Sequence, residues 1–344
     1  MTQKTILFTC CGGAGGWAIL RSLENNPNFR LIGVDGEHLT AGLYQPGLDG
    51  RYLVPLGNEP GYIDAILDIA GKERADVVWP CSDEEVIAIS KNQARFKEKG
   101  IIPMVPPIET VHLTTDKLAM VRKLETVGVP VPVSWGLDEE GPNDVYPVIV
   151  RPKTARGGKG VHFFDTPEQV AAFKATLPGN PAAWFVQEQI QAPMGNMHLA
   201  AAIFDHDQNR LAFFMSRSIR TAYSWGGPSL GGIAVKNDRL KEVGIKSFAA
   251  AGNWYGPVNA EFLYDPKRED FVFIEINPRY WGYSYLATAA GINFPEITAR
   301  LAFGEAIEPQ EDFSTEVITL TSREQVAVPL DHVPGDIPAA GHEN

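Results

Sequence analysis

The sequence predicts an α/β protein: a parallel sheet with helices on both faces over residues 1–110, then an α+β portion built on hairpins. Three observations carry this. Short apolar runs alternate with helical stretches through residues 1–110, the pattern of βαβ units. A strand, a basic glycine-rich loop and a second strand follow one another between Val148 and Phe164. Val258–Arg279, VNAEFLYDPKREDFVFIEINPR, reads as two alternating strands joined by a polar turn.

Composition bounds the function. The chain has 344 residues, 44% hydrophobic and 21% charged, with a formal net charge of −12. That is ordinary for a globular protein of two or three domains. The acidic balance excludes a general binder of nucleic acid or of anionic membranes. Cys10, Cys11 and Cys81 give neither a disulfide framework nor metal-type spacing. MTQKTILF enters a strand directly, and no apolar run approaches the ~18 residues of a membrane span, so a cytoplasmic enzyme is expected.

Within the first 110 residues, strands are expected at Thr5–Thr9, Leu31–Val34, Asp76–Pro80 and Ile101–Val105. Helices are expected at Trp17–Asn25, Gly61–Gly71 and Asp83–Lys97. The turn Gly13-x-Gly15-x-x-Ala18, with Asp35 after the second strand, matches the spacing of a dinucleotide-binding fingerprint. It keeps an NAD(P) oxidoreductase open as a second function class. The plainer reading is that small residues allow a tight turn and close helix packing. Ser82 and Asp83 lie at the carboxyl edge of the sheet, where ligands bind; either could equally cap the next helix.

Pro103–Pro107 reads as a linker. A helix starts near Thr114, the expected cap, with Lys117 in its first turn, where the helix dipole disfavours a cation unless an anion shares the site. RPKTARGGKG places Arg151, Lys153, Arg156 and Lys159 in ten residues without an acid. Gly157, Gly158 and Gly160 let backbone N–H groups approach a ligand. This suits a flap over phosphates, the plainer alternative being an exposed basic hairpin; it is not a Walker loop, because no Lys-Ser/Thr and helix follow. Thr166–Leu177 and Asp238–Ala251 read as helices, and Trp184–Ile190, Leu199–Phe204 and Leu211–Ser218 as strands. Gly226–Gly232 reads as a second glycine-rich loop, Gly282–Ala290 and Phe294–Phe303 as helices, and Glu316–Thr321 and Gln325–Val328 as short strands.

If the hairpin closes symmetrically about Arg268, Glu261 faces Glu275 and Asn259 faces Asn277. Opposed carboxylates about 5 Å apart need a shared proton or a cation. With an amide oxygen beside them they form a hard-oxygen set suited to Mg²⁺ rather than zinc. The bland alternative is a solvated face.

The basic loop, the apolar strand ending in Glu188 and the carboxylate hairpin occur in the order found in the ATP-grasp superfamily. VIVRPKTARGGKGV resembles its phosphate-covering flap, most closely that of the carbamoyl phosphate synthetase large subunit. FIEINPRYWG and the following ATAAGINFPEITARLAFGE are similar to the metal-binding strand and later helices of that group and of carboxylate–amine ligases. The resemblance implies a Rossmann-like pre-ATP-grasp domain over residues 1–110. A two-lobed ATP-grasp domain would span 111–310, with about 120–190 as the smaller, ATP-covering lobe, and 311–344 would form an extension.

The resemblance also implies an ATP-dependent ligase that activates a carboxylate as an acyl phosphate and couples it to an amine. Mg²⁺, with Mn²⁺ as a substitute, would sit on Glu261, Glu275 and Asn277. ATP would be held by Lys117, Arg151, Lys153 and the flap residues Arg156, Gly157, Gly158, Lys159 and Gly160. Glu188, Gln189 and Ile190 would form the adenine hinge. Arg279 would stabilise the acyl phosphate, with Arg217 and Arg220 as candidates for the substrate carboxylate or for structural ion pairs. The family's acidic ribose contact is missing, so His198 or Asn196 would replace it. The substrates would be small carboxylates and amines such as an amino acid or short peptide, and a homodimer is the family expectation. A carboxyphosphate-using relative or one with a non-amine acceptor is the nearer alternative, and a non-catalytic nucleotide sensor another. Trp225, Tyr280, Trp281, Tyr283 and Tyr285 would either line an apolar ligand site or pack.

Overall fold

The computed structural model describes residues 3–154, 159–193, 195–223 and 226–321. Arg156, Gly157, Gly158, Trp225 and the expected strand 325–328 lie outside the described residues. The chain divides into two compact units at Met104/Val105.

The first unit runs β1 (Lys4–Phe8), α1 (Ala14–Leu23), β2 (Phe29–Asp35), β3 (Gly50–Leu53), α2 (Tyr62–Glu73), β4 (Val77–Trp79), α3 (Asp83–Lys91), α4 (Gln93–Glu98) and β5 (Ile102–Pro103). The strands form one parallel sheet in the order β3-β2-β1-β4-β5. Ile6, Leu7 and Phe8 of the central strand are fully buried, as a strand covered on both faces requires. The edge strand β3, a four-residue segment starting on a glycine, carries too short a pattern to be read from sequence. The helix expected over Asp83–Lys97 is two helices. Asn92 leaves helical geometry at φ −116° and bonds its side-chain amide to Ala88 O (2.9 Å).

The glycine turn resolves as architecture. Both Asp35 carboxylate oxygens accept backbone N–H groups, from Gly12 (2.9 Å) and Glu37 (3.0 Å). A Cβ on Gly16 would lie 2.6 Å from Cys10 O, so close packing demands a glycine there. Ser82 caps α3 in a capping box whose Glu85 carboxylate accepts Ser82 N–H (2.9 Å) and the Thr9 hydroxyl (2.6 Å).

The second unit begins with α5 (Ile108–Thr115) and α6 (Lys117–Glu125). The cap of α6 is Asp116, whose Oδ1 accepts Ala119 N–H (3.0 Å). Thr114, the expected cap, lies inside α5 and spends its hydroxyl on helix carbonyls. Next come β6 (Ser134–Gly136), β7 (Val148–Pro152), β8 (His162–Phe164), α7 (Pro167–Thr176) and β9 (Trp184–Glu188). Their four strands form an antiparallel sheet in the order β6-β9-β7-β8. Val148, Val150, Val186 and Trp135 build its core with Val170 of α7, and Phe164, Phe173 and Trp184 pack against it.

The large sheet is built from β10 (Met197–Phe204), β11 (Arg210–Tyr223), β12 (Gly226–Ala234), β13 (Gly256–Asp265), β14 (Asp270–Asn277) and β15 (Ile318–Leu320). The remaining helices are α8 (Asp238–Ala251), α9 (Tyr285–Ala289) and α10 (Phe294–Ala302). The strand order is β14-β13-β10-β11-β12-β15, with antiparallel pairing throughout. On one face, Gly244 of α8 lies against Ala200 and Phe213. The expected glycine loop at 226–232 is strand β12, paired with β11 and β15. Gly232 marks a close approach rather than a turn: a Cβ there would lie 2.5 Å from the Tyr283 ring.

Candidate active site

The hairpin opposes Glu261 to Glu275 and Asn259 to Asn277, as the sequence predicts. It does so through two registers. Near the turn, Phe262 faces Phe273 and Asp265 faces Asp270, so that half is centred between Lys267 and Arg268, not on Arg268. One extra residue on β14, Ile274, makes up the difference as a β-bulge.

Three cations converge on the acidic pair. Lys117, the first residue of α6 and buried, places Nζ 3.7 Å from Glu275 Oε2. Its backbone N–H donates to Lys153 O (3.1 Å), tying α6 to the end of β7. Arg151 donates from Nη2 to Ile274 O (3.4 Å), the carbonyl of the bulge residue, and its guanidinium stands 5.2 Å over the Phe185 ring. Arg279 donates to Asn277 Oδ1 (3.3 Å) and to Tyr280 O (3.1 Å).

The two carboxyls differ in character. Burial, reinforced by the charge of Glu275 and only partly offset by Arg279 and Lys117, pushes Glu261 up to about 8. Burial acts on Glu275 too, but Lys117, Arg151, the Asn277 amide and Arg279 outweigh it and hold that carboxyl below its ordinary range. The pair therefore carries one proton and one charge near neutral pH, the arrangement from which a divalent cation would displace the proton. Among the described residues, no three His, Cys, Asp or Glu side chains form a metal-holding group. A cation here would take the two carboxylates and the Asn277 amide oxygen, a hard-oxygen set that fits Mg²⁺.

Other predicted positions fall less centrally. Glu188 spends its side chain on a two-pronged ion pair with Arg268 of the hairpin turn (2.8 and 2.6 Å) and on Val133 N–H (3.2 Å). Its strand ends there, and Gln189 N–H bonds Pro147 O (3.0 Å). Lys159 and Gly160 are exposed beside β8. His198 pairs with Phe262 and Arg217, whereas Glu261 pairs with Leu199; alternation therefore puts His198 and Arg217 on the opposite, α8-packed face of the sheet. There His198 stacks edge-on to Phe271 (5.0 Å) with Nδ1 at Asn196 O (2.9 Å), and burial lowers its proton affinity. Arg217 donates to Gly195 O (3.4 Å). The expected ribose contact by His198 and substrate contact by Arg217 do not fit that face. Arg220 is exposed, opposite Gly231. Tyr280, Trp281 and Tyr283 are buried packing groups, and Tyr285 is 38% exposed. The role of Arg268 escaped the sequence reading because it sat in what reads as a solvated turn; its signal was the acids on both sides of it.

Comparison with known proteins bears on the family and the fold. Residues 6–105 match the family model described as PylC-like, N-terminal domain, and residues 114–283 the ATP-grasp domain. The chain is 23% identical over 353 aligned residues to the carbamoyl phosphate synthase large chain of Rubrobacter xylanophilus, covering 95% of this chain and 32% of that one. It spans about a quarter to a half of the length of the curated relatives it matches. Among solved structures, a biotin carboxylase complex from Campylobacter jejuni aligns with a TM-score of 0.68 at 22% identity, covering 93% of this chain and 74% of that one. An L-amino acid ligase from Bacillus licheniformis aligns with a TM-score of 0.68 at 16% identity, covering 89% and 76%. These likenesses establish the fold. No helix among the described residues is long and apolar enough to cross a membrane.

Proposed function

We propose, since residues 114–283 belong to the ATP-grasp family, that this chain is an ATP-dependent ligase joining a small-molecule carboxylate to an amine. The observation that carries the reading is the opposed Glu261–Glu275 pair, with Lys117 at 3.7 Å and Arg279 bonded to the neighbouring Asn277. Mg²⁺ on Glu261, Glu275 and Asn277, or Mn²⁺ in its place, would supply charge neutralisation on the ATP phosphates.

Lys117 and Arg151 hold the phosphates, with Lys153 just after the same strand and Arg156, Gly157, Gly158, Lys159 and Gly160 as further phosphate contacts. The strand end at Glu188, Gln189 and Ile190 positions the adenine. A substrate carboxylate oxygen attacks the γ-phosphorus, and the bond to the ADP oxygen breaks. Arg279 neutralises the resulting acyl phosphate, a planar guanidinium being suited to an oxyanion. The amine nitrogen then attacks the acyl carbon, phosphate departs with its C–O bonding pair, and the nitrogen loses a proton. Arg220 is the remaining candidate for a substrate carboxylate. An amino acid or short peptide as substrate, a homodimer and a cytoplasmic setting complete the reading.

The match of residues 114–283 to the ATP-grasp domain favours the ligase over an NAD(P) oxidoreductase, and the Asp35 contacts with Gly12 and Glu37 give that carboxylate a structural role without a nucleotide. The test is ADP and phosphate release with ATP and Mg²⁺ across a panel of amino acids, short peptides and small acids. Release stimulated by at least one acid–amine combination is expected. Absence of stimulated release across the panel, together with tight NADH binding, would overturn the reading.

A further inference from the structure

Asn259 is fully buried on β13, two residues before Glu261, and touches both sides of the site without belonging to the cation's donor set. Its Nδ2 donates to Arg279 O at 2.7 Å. Its Oδ1 accepts from Asn277 Nδ2 at 3.4 Å. Asn277 Nδ2 also donates to Glu275 Oε1 at 3.3 Å, and Asn277 Oδ1 accepts from Arg279 Nη2 at 3.3 Å.

These contacts have a direction. A backbone carbonyl only accepts, so the Asn259 NH₂ must face Arg279 O. That turns the Asn259 oxygen toward Asn277, which must answer with its own NH₂. The Asn277 oxygen is thereby left on the side of Arg279, with the NH₂ held between Asn259 and Glu275 Oε1. Arg279 and Glu275 favour the same orientation, but both would be drawn to phosphate or cation; Asn259, fully buried, is the anchor that stays, and an amide turned over would present an NH₂ group where a cation needs an oxygen.

Building on the proposed Mg²⁺ site, we infer that Asn259 is a positioning residue: its amide fixes the Asn277 amide with the oxygen toward the cation and fixes the main chain that carries Arg279. The relay depends on polarity, not on volume. A threonine hydroxyl can donate to Arg279 O and still offer a lone pair to Asn277; valine has the same shape and can do neither. Groups that orient metal ligands from behind commonly change affinity 10–100-fold when removed.

The experiment is Mn²⁺ titration followed by electron paramagnetic resonance, with ADP present, on the full chain. Asn259→Thr is expected to bind Mn²⁺ within about threefold of the unsubstituted protein, and Asn259→Val about tenfold or more weakly. In an Asn277→Ala background, Asn259→Val should cause no further loss, because its effect runs through Asn277. Equal affinity in the Thr and Val variants overturns the relay, as does a full additional loss in the Asn277→Ala background. Should the Val variant fail to fold, a tenfold loss in the Thr variant alone overturns it. An unsubstituted protein that binds no Mn²⁺ with ADP overturns the cation site itself, so failure of the premise and failure of the relay are separable.

Discussion

Replacing Arg268 by alanine should loosen the junction between the small sheet and the hairpin. The guanidinium serves two carboxylates: Glu188 at the end of β9, through two bonds of 2.8 and 2.6 Å, and Asp265 at the end of β13. The Asp265 side chain is only 3% exposed, against 20% for Glu188 and 35% for Arg268. Burial alone would raise the Asp265 carboxyl, yet Arg268 and the Lys267 N–H hold it below its ordinary range. Asp265 also lies opposite Asp270, which is neutralised separately by Arg239 of α8. Removing Arg268 therefore strands one buried charge, Asp265, and leaves the partly buried Glu188 without its ion-pair partner. Breaking a fully buried pair costs about 3–5 kcal/mol; with a third of this guanidinium in water, about 2 kcal/mol is the appropriate figure. For a unit of this size that corresponds to a fall of about 4–8 °C in melting temperature. Adding Asp265→Asn removes the stranded charge and should restore about half of the loss. The assay is thermal unfolding by circular dichroism of Arg268→Ala, with and without Asp265→Asn. A single variant melting within about 1 °C of the parent, or a double variant melting no higher than the single, would refute the reasoning.

Glu275→Gln keeps the hairpin pairing and removes the charge that Lys117 and Arg151 face; ADP release should fall by about 10²-fold or more at saturating Mg²⁺. Metal-free stability should depend on pH through Glu261: its folded pKa of about 8 lies above the unfolded carboxyl value, so its contribution is complete below about pH 4.5 and is lost as pH rises through 8. Urea unfolding in EDTA between pH 6 and 9 should show a slope of up to ~1.4 kcal/mol per pH unit, flattened in Glu261→Gln. Gly16→Ala drives a methyl group to 2.6 Å from Cys10 O and should cost about 1–3 kcal/mol, measured by the same denaturation.

Much of this was legible in the chain because local signals and global fold agree. The Glu261–Glu275 opposition follows from two alternating strands and a polar turn. The parallel sheet follows from apolar runs separated by helical stretches. The misreadings share a cause: each residue's role is set by a partner remote in sequence. Gly226–Gly232 looks like a loop until Tyr283 is seen to need the space above Gly232. His198 looked available to a nucleotide because the face of a strand residue cannot be known before its neighbours are, and pairing with Phe262 turns it toward α8.

The bulge at Ile274 acts as a parity switch in the chain. Between the turn and Phe273 the hairpin keeps aromatic residues opposed in one phase; beyond it the phase advances by one residue. Had the ladder run on unbroken, Ile274 would stand opposite Glu261, and Glu275 would turn toward the packed side of the sheet. Deleting Ile274 would remove the bulge and leave Glu275 opposite Glu261 in a regular ladder, whereas straightening the strand with Ile274 kept would turn half of the site inside out. The same extra residue offers its carbonyl to Arg151. Arg151 is thereby held by a neutral oxygen as well as by the charge of Glu275, so the residue that sets the phase of the acidic row also places its neighbouring cation.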